Sequence, residues 1–213
     1  VTLYERDPAL TGPFQGNMSF ESQSCIDVVT DGVGILVFCS AHRPGGGWLS
    51  GAMAQEEAIS RASTWAVSAR ASDFYQRAPV ADYCYSSCVQ HVQGAVLHQD
   101  YGWLEEPIPV HFVGACAPNL RAMREHGLNV REHDIRTLLV QRMGRILHAF
   151  ESQGCKELIL GPIGCGVFQV PVPWCVQAWH EALGAHGEFF ERIVWAFGEG
   201  ASQEMVEAFE RGW

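Results

Sequence analysis

The chain has 213 residues, 47% hydrophobic and 18% charged, which suits one domain with a sizeable core. Lys and Arg number 14 against 24 Asp and Glu, a net charge of −10. That balance excludes a protein that grips nucleic acid mainly by neutralising phosphates, but not one that holds a small anion on backbone N–H groups.

No apolar run is long enough to span a bilayer, so no membrane partner is expected. The opening VTLYERDPALTGPF lacks the basic-then-apolar pattern of a secretory signal, and a cytoplasmic location is expected. No repeat or linker divides the chain, so residues 1–213 read as a single domain, expected to be a monomer.

In chain order, the first strong element is the continuous apolar run VGILVFCSA (Val33 to Ala41), a buried strand. Pro44-Gly45-Gly46-Gly47 follows it directly, and a helix then starts near Gly51 carrying Gln55, Glu56 and Glu57. From Arg70 to Glu106 the pattern is irregular. SSC, HQDYGW and the prolines suggest extended pieces and a long loop. PVHFVGACA (Pro109 to Ala117) is a second strand. From Glu132 to Ser152, Ile135, Leu138, Leu139, Met143, Ile146, Leu147 and Phe150 recur at helical spacing, and Gly154 marks the stop. KELILGPI (Lys156 to Ile163) is a third strand, a proline-led helix runs from Pro173 to Leu183, and RIVWAFGE (Arg192 to Glu199) is a fourth strand. SQEMVEAFERG, with Ser202 as N-cap, forms a last short helix. Strands alternating with helices predict an α/β sandwich around a largely buried sheet.

The eight cysteines are an even number, but a core-rich chain of this length needs no disulfide framework, and they read as mostly buried thiols. Cys84, Cys88, His91 and His98 could make a zinc site, although their spacing fits no standard signature, and no metal is expected.

Three glycines inside a helix or strand would be costly, so they mark a sharp turn or a close approach to a ligand. A loop after the C-terminal end of a strand in an α/β sheet is a usual ligand site, and its N–H groups can form an anion-binding nest. Glu56 and Glu57 point about 100° apart on a helix, so they would serve different atoms of one ligand. The plainer reading is a first-turn acid pair favoured by the helix dipole, with a Glu57–Arg61 ion pair at i, i+4.

The triplet GGG, seven residues, then QEE resembles the signature of the poly(ADP-ribose) glycohydrolase branch of the macrodomain proteins, in its bacterial type. FCSAHRPGGGWLSGAMAQEE is similar to that family's strand, glycine loop and acid-bearing helix. GACAPNL (Gly114 to Leu120) resembles its Ala-Pro-Asn segment, and LILGPIGCGVF (Leu158 to Phe168) its second glycine loop.

The resemblance implies a macrodomain-like three-layer α/β/α sandwich with a mixed central sheet. It implies hydrolysis of a ribose–ribose bond of poly(ADP-ribose), or a related ADP-ribose linkage, without a cofactor. The ligand would be ADP-ribose or an ADP-ribosylated macromolecule. Glu57 would be the catalytic acid/base and Glu56 would hold sugar hydroxyls. Gln55 with Gly45, Gly46 and Gly47 would shape the pocket. The loop Gly164-Cys165-Gly166-Val167-Phe168 would wrap the diphosphate, with Phe168 packing on the distal ribose or near the adenine side. Asn119 is a turn former by default, with a ligand role as the alternative. His42 and Arg43 read as rim residues.

Three positions depart from the family pattern: Val37 stands where relatives usually carry Asn, and Gln169-Val170 where they usually carry Gly-Asn. These leave open a non-catalytic ADP-ribose reader, or a protein that hydrolyses or sequesters an NAD-derived nucleotide.

Overall fold

The structure is a computed structural model that describes residues 1–77, 83–85, 88–99 and 102–213. Ser86 and Ser87 of the SSC stretch, and Asp100 and Tyr101 of HQDYGW, lie outside the described residues.

The apolar run at 33–41 becomes the middle of the sheet because both of its faces are covered. The chain begins with β1 (Thr2–Tyr4) and β2 (Asn17–Glu21), then enters this central strand, β3 (Gly34–Phe38). A short 3-10 turn at Trp48–Ser50 leads to the acid-bearing helix α1 (Gln55–Ala62), followed by α2 (Trp65–Ala69) and α3 (Phe74–Arg77). A long hairpin of β4 (Val89–Gln99) and β5 (Gly102–Ala115) begins within the later part of the segment that reads as irregular in sequence. Then come α4 (Leu120–Glu125), α5 (Glu132–Glu151), β6 (Glu157–Leu160), α6 (Val172–His186), β7 (Arg192–Ala196) and α7 (Gln203–Glu210).

Among the described residues, seven strands form one sheet in the order β1-β4-β5-β3-β6-β7-β2. β1, β4 and β5 pair antiparallel, whereas β5, β3, β6, β7 and β2 run parallel, so the sheet is mixed. Period-2 alternation splits the core. Leu36, Val113, Leu158, Leu160, Ile193 and Trp195 face one layer, with Leu139, Phe150, Trp179 and Phe209 from α5, α6 and α7. Ile35, Val37, Phe112, Ile159 and Val194 face the other, with Ile59, Trp65 and Phe74 from α1, α2 and α3. This is the expected three-layer α/β/α arrangement. No described helix is long and apolar enough to cross a membrane.

The hairpin explains the irregular reading. His111 donates its N–H to Val33 O, so odd-numbered positions of β5 turn their nitrogens toward β3. Pro107 and Pro109 share that parity but precede the stretch of β5 that pairs with β3, so their missing N–H groups leave no gap in the ladder. The zinc reading is overturned by the same hairpin. His91 and His98 lie seven residues apart along β4, about 20 Å at strand rise. His91 Nε2 lies 3.0 Å from His111 Nδ1, and His98 sits edge-on to Trp103. Six of the eight cysteines are buried, and Cys84 and Cys165 are half-buried.

Candidate active site

A cleft of about 840 Å³ opens across the C-terminal ends of the parallel strands β3, β5, β6 and β7. Phe38 at the end of β3 and Ser40 just after it line the cleft, with Ala117 after β5, Pro162 and Ile163 after β6, and Phe197 after β7. The two glycine loops, far apart in sequence, both enter it through Gly46 and Gly47 on one side and Gly164, Gly166, Val167 and Phe168 on the other. Gln55, Glu56 and Glu57 stand at the start of α1 and complete this wall.

The first turn is shaped around the two acids. Glu56 is 3% exposed; its Oε2 accepts the Ser40 N–H (2.5 Å), and its Oε1 accepts the Gly45 N–H (3.0 Å) and the Trp65 Nε1–H (3.4 Å). Glu57 Oε1 accepts the Gly47 N–H at 2.8 Å, while its Oε2 is buried with no hydrogen-bond partner among the described residues. The anion nest expected of the glycines therefore exists, but it is filled by the protein's own carboxylates. Gly46, at φ 61°, passes between them: a methyl group built on it would overlap Glu57 Oε1 and lie 3.1 Å from Glu56 Oε2. The two acids thus flank one methyl-sized volume, closer than the ~6.5–9.5 Å that separates the carboxyl groups of an inverting glycosidase.

Burial pushes the Glu56 carboxyl up to about 8, with the Glu57 charge adding to the rise and the N–H donors opposing it. The expected ion pair between Glu57 and Arg61 does not form. Arg61 donates instead to Ala52 O at 2.9 Å, because Gly47 draws the Glu57 carboxylate inward.

Gln55 lines the cleft while working as a clamp on β3. Its Oε1 accepts the Phe38 N–H (2.9 Å) and its Nε2 donates to Leu36 O (2.7 Å), which fixes the start of α1 against the end of the strand.

The second loop has the opposite economy of N–H groups. Cys165, Gln169 and Val170 donate to Pro162, Gly166 and Gly164 carbonyls within the loop. Among the described residues, the N–H groups of Gly164, Gly166, Val167 and Phe168 have no protein acceptor. They remain as donors for an anionic ligand. Gly164 is at φ 82°, with Ala117 and Val170 packed where a side chain would go.

Gly45 and Cys165 sit behind the cleft wall rather than on it. Cys165 Sγ turns toward Ile163 O. Val37 is fully buried in the core under α1, so the departure there does not reach the cleft surface. Gln169 does alter the second loop, taking a left-handed backbone (φ 58°) and meeting Arg124 through its side chain. Asn119 caps α4 by accepting the Ala122 N–H at 3.0 Å. His42 and Arg43 line the exposed rim. Phe197, Gly200, Ala201 and Met205 form a further wall of the cleft that the motifs do not indicate.

These features define an α/β domain whose cleft offers a main-chain-clamped acid pair opposite a loop of open N–H donors. Residues 17–92 match the family model of the microbial-type poly(ADP-ribose) glycohydrolase catalytic domain. The whole chain superposes on the poly(ADP-ribose) glycohydrolase of Thermomonospora curvata with a TM-score of 0.83 and 29% identity, covering 100% of this chain and 85% of that one. A structure of the T. curvata enzyme bound to the inhibitor ADP-HPD gives a TM-score of 0.81 and 30% identity, covering 93% and 79% of the two chains. The Deinococcus radiodurans enzyme in complex with ADP-ribose gives a TM-score of 0.80 and 26% identity, covering 94% and 85%. No curated protein sequence matches significantly. The chain belongs to the bacterial poly(ADP-ribose) glycohydrolase family.

Proposed function

We propose that this chain hydrolyses the ribose–ribose O-glycosidic bond of poly(ADP-ribose) and releases ADP-ribose, with Glu57 as the single acid/base. The observation that carries the reading is the Glu57 carboxyl. One oxygen is fixed by Gly47, and the other is buried beside the cleft with its hydrogen-bonding capacity unused. An unpartnered polar atom in such a place is costly and calls for a ligand group.

Cleavage of a ribosyl C–O bond passes through an oxocarbenium-like state, and the leaving oxygen needs a proton. Glu57 in its protonated form donates that proton as the bond from the anomeric carbon breaks. The resulting carboxylate then takes a proton from the water that adds to the same carbon, which restores the acid. Glu56 is anchored by three donors, with Oε2 taking only one of them, and keeps a lone pair for a ribose hydroxyl. The open N–H groups of the second loop hold the diphosphate, and its binding energy orients the sugar against Glu57. The relatives' complexes with ADP-ribose and ADP-HPD support a ligand of this chemistry.

Incubation with labelled poly(ADP-ribose), followed by chromatography of the products, tests the reading. Release of free ADP-ribose is expected. Tight binding of the polymer with no release over hours would instead make the protein a reader of ADP-ribose.

A further inference from the structure

Three non-glycine residues among those described have left-handed backbones: Tyr83 (φ 59°), Tyr85 (φ 58°) and Gln169 (φ 58°). Such conformations persist only where surrounding contacts over-determine them, and they cluster at functional sites. They come from two distant parts of the chain, 83–85 and 169, which meet where Tyr85 packs against Phe168. Gln169 follows Phe168 directly, the Tyr85 ring packs on it with centroids 6.0 Å apart, and the Tyr83 ring stands edge-on to Tyr85 at 6.4 Å.

Tyr85 also reaches the other loop. Its ring meets His42, three residues ahead of Gly45, at 5.9 Å and nearly perpendicular. It is 5% exposed and does not line the cleft, so it stands behind the wall and touches the flank of both glycine loops.

Its position is held from two directions. The hydroxyl accepts from Asn119 Nδ2 at 3.3 Å. The backbone carbonyl accepts from Arg142 Nη2 at 3.3 Å, and the same guanidinium donates to the carbonyls of Cys84 and Cys116. Arg142 is 1% exposed, and among the described residues its acceptors are these backbone carbonyls, not a carboxylate. A cation buried on carbonyls alone is expensive, and what it secures here is the path of residues 84 and 85 beside the end of β5.

We infer that Tyr85 is a positioning residue, a strut that fixes the Phe168 loop relative to the glycine turn and so sets the distance between the bound ribose and Glu57. This rests on the glycohydrolase reading of the cleft. Asn119 and Arg142 act through it.

The test compares wild type, Tyr85→Phe and Tyr85→Gly for kcat and KM on poly(ADP-ribose), for ADP-ribose affinity by calorimetry, and for Tm. Glycine suits the left-handed backbone, so Tyr85→Gly removes the ring without straining the main chain, and its cost is the lost burial. Tyr85→Gly is expected to lower Tm by several degrees or more, because a buried ring is lost, and to lower the kcat of the folded fraction by about 10- to 100-fold, as a roughly 1 Å misplacement does, with ADP-ribose affinity little changed. Tyr85→Phe, which keeps the ring, should retain most of the wild-type kcat. Full kcat in Tyr85→Gly overturns the inference. So does a loss that merely tracks the unfolded fraction, or an equal loss in Tyr85→Phe. If wild type itself releases no ADP-ribose, the proposed function fails and the strut's catalytic role falls with it.

Discussion

Gly46 and Glu57 leave no room for an atom between them: a methyl group on the first would overlap Oε1 of the second. The same glycine holds a left-handed backbone at φ 61°, which costs an L-residue about 1–2 kcal/mol. Gly46→Ala should therefore push the Glu57 carboxylate off the Gly47 N–H and distort the turn. The expected result is a folded protein whose kcat falls by about 100-fold or more. Steady-state assay of the purified variant, beside its thermal melt, checks this. Wild-type activity would show that the turn does not set the acid's position.

Glu56 makes stability depend on pH. Its folded carboxyl titrates near 8, against an ordinary value of 4.5, so between these limits the folded state holds a proton that the unfolded state has lost. Stability contributed by this group is complete below the lower limit and declines as pH rises through the window, with a slope of at most about 1.4 kcal/mol per pH unit. Urea unfolding of wild type and Glu56→Gln from pH 5 to 8.5 should show a shallower decline in the variant. Parallel curves would remove Glu56 as the source.

Gln55 joins α1 to the end of β3 through both halves of its amide. Replacing the NH₂ by a carboxylate oxygen leaves Leu36 O facing another acceptor. Gln55→Glu is expected to cost about 1–3 kcal/mol, read as a lower urea midpoint. It should also reduce activity, since both acids follow on the same helical turn. A midpoint equal to wild type would contradict the clamp.

Gln169 takes a backbone conformation that glycine adopts without penalty. Gln169→Gly should leave the melting temperature unchanged or raise it by a few degrees, a gain of up to about 1 kcal/mol offset by loss of the exposed contact to Arg124. A fall of several degrees would mean that the Arg124 contact outweighs the strain.

The parallel strands β3, β6 and β7 are legible in the sequence because helices cover both of their faces, which forces uninterrupted apolar runs such as Ile35 to Phe38. The second half of β4 and the first half of β5 are not, because they pair with each other beyond the rest of the sheet. There, exposed or half-buried positions such as Gln93 and His98 and the unpaired N–H side at Pro107 and Pro109 break both periodicity and composition. β1 and β2 are short edge strands with no full apolar face. The acid turn and the second glycine loop are linear motifs and can be read directly. Phe197, Gly200, Ala201 and Met205 reach the cleft only through topology. A signal existed: their loop, like the two glycine loops, follows the C-terminal end of a predicted strand. The Glu57–Arg61 pair had the right spacing and the wrong competitor, since a main-chain N–H holds the carboxylate closer than a flexible arginine can.

The most direct measurement is turnover and ADP-ribose affinity of Glu57→Gln, taken on the same preparation. The amide fills the same space but cannot deliver and recover a proton. Poly(ADP-ribose) hydrolysis should fall by at least about 100-fold, the usual worth of a general acid/base, while ADP-ribose still binds. Turnover near wild type would contradict the assignment of Glu57 as the proton donor and acceptor.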